Sequence, residues 1–118
     1  MYKRQGLSTL RILKEDTSIY ERLEKKTAKI ADAVRQAAGN KVCVNQIGSL
    51  MSIFFTGEEV VDFDSAMTAD VKAYAAYFGH MLDHGIYVAP SQFEAMFVSD
   101  AHTEEDITKT IAVMQQWF

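Results

Sequence analysis

The sequence has little cysteine and proline, no excess of basic residues and no long apolar run. Cys43 is the single cysteine and Pro90 the single proline among 118 residues. One cysteine cannot form an internal disulfide, so we expect a reducing compartment, the cytoplasm. The formal charge of −4 disfavours a nucleic-acid partner, because such proteins usually carry a basic face. The longest apolar run, residues 50–55, is far shorter than the roughly 20 residues of a membrane helix, so we expect no membrane partner either.

Several catalytic signatures are also missing. Neither a glycine-rich phosphate loop of the GxxxxGK or GxGxxG type nor a GxSxG elbow occurs, and no lysine lies in an apolar setting suited to a Schiff base. His80 and His84 are spaced to share a metal on one helix. Neither Cys43 nor His102 completes a recognised zinc motif with them, so we expect no metal site. An independent enzyme built on His80, His84 or Glu94 would lack a complete catalytic set.

What is present is the composition of one globular domain, with 48% hydrophobic and 24% charged residues. The periodicity of apolar residues and the turn residues between them predict an alternation of helices and short strands. The predicted elements are a short helix at 7–13; a helix over 19–37, capped by Thr17 or Ser18 and ended by Gly39-Asn40; strands at 42–47 and 50–56 around a Gly48-Ser49 turn; an extended piece at 60–64; a helix from an N-cap at Thr68 to Gly85; strands at 86–89 and 93–99; and a last helix from a Thr103–Asp106 capping box.

This order predicts an α+β fold, a small and mainly antiparallel sheet covered on one face by helices. The apolar face of the second long helix is assigned to Val71, Tyr74, Ala75, Phe78 and Leu82. The strands carry more apolar surface than three helices cover, notably at Phe54, Phe55, Phe93 and Phe97. We therefore expect the domain to lean on another polypeptide segment.

One segment, residues 87–95, places an acidic residue, Glu94, inside an apolar and aromatic stretch. A buried carboxylate needs a cationic partner, whereas a carboxylate on an edge strand can face water. Ser91 and Gln92 add polar groups at the same turn. The possible partners are Arg4, Arg11, Arg22, Arg35 or a cation from another polypeptide segment.

Three stretches of the sequence, residues 48–56, 80–95 and 101–107, together resemble a known family. Residues 81–107 follow the pattern MLxxGIYxAPSxFEAxFxSxAHTxxDI. This is similar to the C-terminal domain of the glutamate-1-semialdehyde 2,1-aminomutases, within the class III pyridoxal-phosphate aminotransferases. The resemblance runs over residues 6–118 as a single small C-terminal domain, and residues 1–5 read as a non-family start. Met96 stands where the family usually has glycine.

The resemblance implies a homodimeric enzyme that uses pyridoxal phosphate to convert glutamate-1-semialdehyde to 5-aminolevulinate, the precursor of tetrapyrroles. The cofactor and the catalytic lysine would lie in a large domain that this chain lacks. We thus expect no catalytic or cofactor-binding residue here, no cofactor on the chain alone and no activity. The alternatives are the small domain of another class III aminotransferase and a stand-alone α+β module for binding or dimerisation.

The resemblance also implies roles for the turn that carries Glu94. Glu94 matches a glutamate that borders the substrate site and interacts with an arginine from the N-terminal part of the enzyme. Ser91, Gln92 and Phe93 match residues that line the entrance. Their implied role is positioning and charge balance, since the cofactor and its lysine carry the chemistry.

Overall fold

Five α-helices and a three-stranded antiparallel sheet make up the structure, a computed structural model that describes residues 2–118. The elements are α1 (Tyr2–Glu15), α2 (Ile19–Ala38), a 3₁₀ turn (Gly39–Lys41), β1 (Cys43–Ile47), β2 (Leu50–Phe54), α3 (Phe63–Ala66), α4 (Val71–Asp83), β3 (Met96–Phe97) and α5 (Glu104–Trp117). The predicted α+β class is confirmed. Of the expected non-family start, Met1 lies outside the described residues, and α1 already begins at Tyr2.

The sheet has the order β1-β2-β3 and grows from the predicted hairpin. Its turn is Gly48-Ser49, with Ile47 paired to Leu50. Gly48 has φ of +52° while Ser49 keeps a negative φ, which is the type II′ arrangement that favours glycine at the first position. Helix α2 packs against β1 and β2, so its apolar stripe and the inner face of the sheet form one core.

Helix α2 buries the apolar stripe that the sequence predicts and ends at Gly39, whose φ is +56°. Its buried residues are Thr27, Ile30, Ala31, Val34 and Ala38. The predicted cap by Thr17 or Ser18 is wrong. Ser18 has helical backbone angles and makes no side-chain cap, and the Asp16 carboxylate instead accepts hydrogen bonds from the Ser18 amide and hydroxyl.

Helix α4 begins two residues later than the sequence predicts, and it buries a different face. Asp70 caps it by accepting bonds from the amides of Lys72 and Ala73, whereas the Thr68 hydroxyl binds the Ser65 carbonyl of the preceding turn. The buried residues are Tyr74, Tyr77 and Met81, while Val71 and Leu82 of the predicted face are exposed. The helix is turned this way because the rings of Phe55, just past the end of β2, and of Phe118 pack on its tyrosines.

Three predicted extended pieces are mostly absent. Residues 63 and 64 of the predicted extended piece at 60–64 belong instead to helix α3, because Asp62 and Ser65 build a capping box at its start. Residues 86–89 form no strand. The predicted strand at 93–99 is reduced to β3, which pairs with β2 through Met96 opposite Met51 and Phe97 opposite Leu50.

Helix α5 starts with the predicted capping box. The Thr103 hydroxyl accepts a bond from the Asp106 amide at 3.1 Å, and the Asp106 carboxylate accepts one from the Thr103 amide at 2.8 Å. Hydrogen bonds from Thr103 lower the pKa of Asp106. None of the helices within residues 2–118 is both long and apolar enough to span a membrane.

An aromatic cluster joins the end of β2 to α4 and the C-terminus. The ring of Phe55 lies 5.8 Å from Tyr74, 5.4 Å from Tyr77 and 6.0 Å from Phe118 between centroids. Tyr77 is fully buried, and its hydroxyl has no hydrogen-bond partner within residues 2–118. Burial raises the pKa of Tyr77 well above its usual value, so the hydroxyl stays protonated.

We predict that Tyr77→Phe leaves the free energy of unfolding unchanged or raises it by about 1 kcal/mol, because it removes a buried polar group that binds nothing. Urea unfolding followed by circular dichroism measures this. A loss of stability larger than about 1 kcal/mol would show that the hydroxyl is hydrogen-bonded in solution.

A cluster of charges ties the 99–102 loop to α2. Arg22 bonds Asp16 and Asp100, both at 2.8 Å. Lys26 adds bonds to the carbonyls of Asp100 and His102. The hydrogen bond from Arg22 is the largest cause that lowers the pKa of Asp16 to about 2, and it also lowers the pKa of Asp100. These carboxylates therefore stabilise the fold above their ordinary pKa of 3.8 and lose that contribution as the pH falls through their lowered values.

We predict that Arg22→Gln destabilises the protein at neutral pH and that this deficit shrinks as the pH falls towards 2, the lowered pKa of Asp16. Urea unfolding across the acid range measures the difference between variant and wild type. Lys25→Gln is the matched control, because Lys25 also lies on α2 but pairs only with Glu21 of the same helix. Equal deficits for the two variants, or an Arg22→Gln deficit as large at pH 2 as at neutral pH, would contradict the prediction.

Candidate functional site

The turn predicted to carry site residues lies between α4 and β3. The Ser91 hydroxyl accepts a hydrogen bond from the Phe93 amide at 3.2 Å, and the Ser91 carbonyl accepts one from the Glu94 amide at 3.1 Å. These two bonds curl the chain at this point, and for that reason it does not continue as a strand. Phe93 and Glu94 are exposed and Ser91 is half-buried, so the structure brings these three residues together at the surface.

Gln92 points in the opposite direction, into the core, and is only 1% exposed. Its side-chain oxygen accepts a hydrogen bond from the Phe55 amide at 3.1 Å, just past the end of β2. Its side-chain nitrogen has no partner within residues 2–118. Through this bond Gln92 holds the turn against the sheet and satisfies the Phe55 amide, which has no ladder partner at this position. Its predicted place at the site entrance stays a prediction.

Glu94 is the residue of this turn that carries charge. No lysine, arginine or histidine within residues 2–118 forms an ion pair with it. Two of the arginines considered as partners are engaged elsewhere, Arg22 with Asp16 and Asp100, and Arg35 with Asp32. The partner predicted for this carboxylate is thus not supplied by α2.

A cavity of about 490 Å³ adjoins the turn and includes Glu94 in its wall. This is within the size range of sites for small molecules. Its walls are mainly apolar and come from α2, β2, α5 and the segment 86–98. Two further polar groups in the wall are already engaged, His102 with the Ser99 amide and Asp106 with Thr103. The Glu94 carboxylate, in contrast, has no hydrogen bond within residues 2–118 and is available to a ligand or partner.

Tyr74 lies near the candidate site. Its sequence position had predicted only a place on the apolar face of a helix. Its hydroxyl donates a hydrogen bond to the Ala89 carbonyl at 2.6 Å. Burial, and after it the charge of Glu94, raises the pKa of Tyr74 to about 12. The phenol therefore remains a donor at neutral pH. To predict this role from the sequence, one would have to recognise two things together. Helix α4 carries a tyrosine hydroxyl, and the segment it faces has no strand partner for its backbone.

The residues present do not fit a cofactor held through a lysine. None of the residues lining the cavity is a lysine. Lys26, whose side chain is 14% exposed, is bound to Asp100 and to the carbonyl of His102.

The histidine pair on α4 is bonded to backbone carbonyls. His80 contacts the carbonyl of Val113 at 3.0 Å, and His84 contacts that of His80 at 2.7 Å. Within residues 2–118 no group of three or more His, Cys, Asp or Glu side chains is arranged to hold a metal ion.

The fold is one that occurs within aminotransferases. A β-phenylalanine aminotransferase from Variovorax paradoxus matches 85% of this chain with a TM-score of 0.70 and 25% identity, over 23% of its own length. A transaminase with bound PLP matches 95% of this chain with a TM-score of 0.72 and 23% identity, over 25% of its length. No protein-family profile matches the chain.

The sequence comparison is more specific. Glutamate-1-semialdehyde 2,1-aminomutase of Pelotomaculum thermopropionicum is 49% identical over 116 residues, which is 96% of this chain and 26% of that protein. The enzyme of the same name from Alkaliphilus oremlandii is 45% identical over 94% of this chain and 26% of its own length. The chain spans about a quarter of the length of these curated relatives, and it matches their C-terminal part. The resemblance predicted from residues 48–107 is confirmed.

We predict that Gln92→Met speeds hydrogen exchange of the Phe55 amide by about 10-fold or more, because that N–H loses its acceptor. Exchange measured by NMR reads this amide directly. The Asp70 amide, which bonds the Phe55 carbonyl, should change little. Gln115→Met on the exposed side of α5 is the matched control. An unchanged Phe55 amide in the Gln92 variant would contradict the assigned bond.

Proposed function

We propose that residues 6–118 are the small C-terminal domain of a pyridoxal-phosphate-dependent aminomutase that converts glutamate-1-semialdehyde to 5-aminolevulinate for tetrapyrrole synthesis. The observation that carries the proposal is the match of nearly the whole chain to the C-terminal quarter of proteins named for this activity. The parent enzyme is proposed to be a cytoplasmic homodimer. The chain alone would hold no cofactor and have no activity.

The unpartnered carboxylate at the cavity supports this proposal. Glu94 would pair with an arginine from the N-terminal part of the parent enzyme, where it balances charge and borders the substrate site. Ser91 and Phe93 would line the entrance beside it, and Gln92 would hold their turn in place. The proton transfers would belong to the cofactor and its lysine in the large domain.

Exposed apolar surfaces support a large domain as the partner. Leu7, Leu10 and Ile12 of α1 are each more than half exposed, and no residue of this helix is buried. On the outer face of the sheet, Ile47 and Phe97 are exposed as well. Apolar surface of this kind is typical of an interface with another domain.

A second candidate is the small domain of another class III aminotransferase. The structural similarity to a β-phenylalanine aminotransferase favours it as an alternative. The two candidates predict different reactions, amino-group migration within one substrate or amino-group transfer between two.

We predict that a chimaera is active in which residues 6–118 replace the C-terminal quarter of the Pelotomaculum thermopropionicum enzyme. It should form 5-aminolevulinate from glutamate-1-semialdehyde, whereas the 118-residue chain alone should not. Glu94→Gln in the chimaera should lower kcat/KM by about 10- to 100-fold, because the arginine loses its charged partner. Glu59→Gln, at an exposed loop, is the matched control.

The outcomes separate the candidates. A folded, cofactor-loaded chimaera without aminomutase activity contradicts the proposal, and transamination in its place favours the second candidate. Equal activity of the Glu94 and Glu59 variants would show that Glu94 does not contribute to the substrate site.

A further inference from the structure

Segment 86–94, which carries Glu94, has no sheet ladder to hold it. Its backbone bonds lie at its two ends, where the Ile86 amide donates to the Met81 carbonyl and the Glu94 amide to the Ser91 carbonyl. Between them, the contacts that fix the segment come from side chains. The buried Val88 packs in the core, Gln92 accepts from Phe55, and Tyr74 donates to Ala89.

Tyr74 is a rigid donor for this purpose. It is 2% exposed, and its ring packs against those of Phe55 and Tyr77. Its hydroxyl can therefore move little, and the 2.6 Å bond fixes the position of the Ala89 carbonyl. Ala89 is followed by Pro90, whose ring restricts the next φ angle, so a fixed carbonyl at this point determines where the turn begins.

The charge of Glu94 also influences the same tyrosine. After burial, it is the second cause of the raised pKa of Tyr74. Tyr74 thus bonds the first residue of the turn, and its pKa responds to the charged group at the turn's end.

We propose that Tyr74 is a positioning residue for Glu94. Its hydroxyl holds the Ala89 carbonyl and thereby fixes the turn that presents the carboxylate at the cavity. The positioning of Glu94 by Tyr74 involves this chain alone. Its effect on catalytic turnover rests on the proposed function.

Tyr77 provides the matched control. It lies one turn further along the same helix and is equally buried, but its hydroxyl bonds to nothing within residues 2–118. Tyr74→Phe and Tyr77→Phe therefore remove the same atom from the same helix, and only the first removal breaks a bond to the segment.

The first experiment uses the 118-residue chain and hydrogen exchange by NMR. Tyr74→Phe should speed exchange of the Phe93 and Glu94 amides by about 3- to 10-fold, the effect of one lost hydrogen bond, while the amides of α2 stay unchanged. Tyr77→Phe should speed exchange at none of them. Unchanged Phe93 and Glu94 amides in Tyr74→Phe would overturn the proposal, as would equal acceleration in α2, which would show only a general loss of stability.

The second experiment uses the chimaera and a double-mutant cycle. Tyr74→Phe should lower kcat/KM by about 3- to 10-fold in the parent chimaera and have no further effect when Glu94 is already Gln. Additive effects would overturn the proposal, since Tyr74 would then act independently of Glu94. An inactive parent chimaera would refute the proposed function, while the exchange experiment would still decide whether Tyr74 positions the turn.

Discussion

Segment 86–94 has to stay against the core without the backbone pairing of a strand, and this constraint shapes the domain around it. Buried polar side chains make the bonds that a ladder would otherwise make. Tyr74 reaches the segment from α4, and Gln92 reaches back from the segment to the end of β2. Tyr74 is packed against the ring of Phe55, and the buried Gln92 accepts a bond from the Phe55 amide, so the core determines the position of a turn at the surface.

The same arrangement leaves the Glu94 carboxylate without a partner at the cavity. Asp100 and Glu104 are paired with cations of α2, and Asp106 is bonded to the start of its own helix. Glu94 has no such partner within the described residues, although it lies in the wall of a mainly apolar cavity. The chain spans about a quarter of the length of its relatives, and this carboxylate beside apolar surface is the reason for the proposal that it forms one wall of a larger site.

Much of the fold follows from local signals in the sequence. Three features depend only on residues close together in the sequence and were therefore predicted correctly. They are the Gly48-Ser49 turn, the α2 stripe with its end at Gly39 and the Thr103–Asp106 capping box. Two errors, the missed helix α3 and the Ser18 cap, concern local contacts of Asp62 and Asp16. Another arose where distant contacts decide. The buried face of α4 depends on Phe55 and the C-terminal rings, which no periodicity within the helix reveals.

The site was predictable in part for the same reason. The acidic Glu94 within an aromatic stretch indicated a candidate site residue. The resemblance to the family indicated Ser91, Gln92 and Phe93 as well. The inward direction of Gln92 and the bond from Tyr74 could not be inferred, because both depend on segment 86–94 lacking a strand partner. The predicted strand at 86–89 concealed this requirement, since a strand would have satisfied its own backbone.

The central claim is that Glu94 is completed by a cation from polypeptide outside this chain. A crystal structure of the chimaera with the Pelotomaculum enzyme tests it most directly. The account predicts an arginine of the N-terminal part with its guanidinium within about 4 Å of the Glu94 carboxylate, the usual limit for an ion pair. A carboxylate that faces only water, or that pairs with a residue of its own domain, would contradict it.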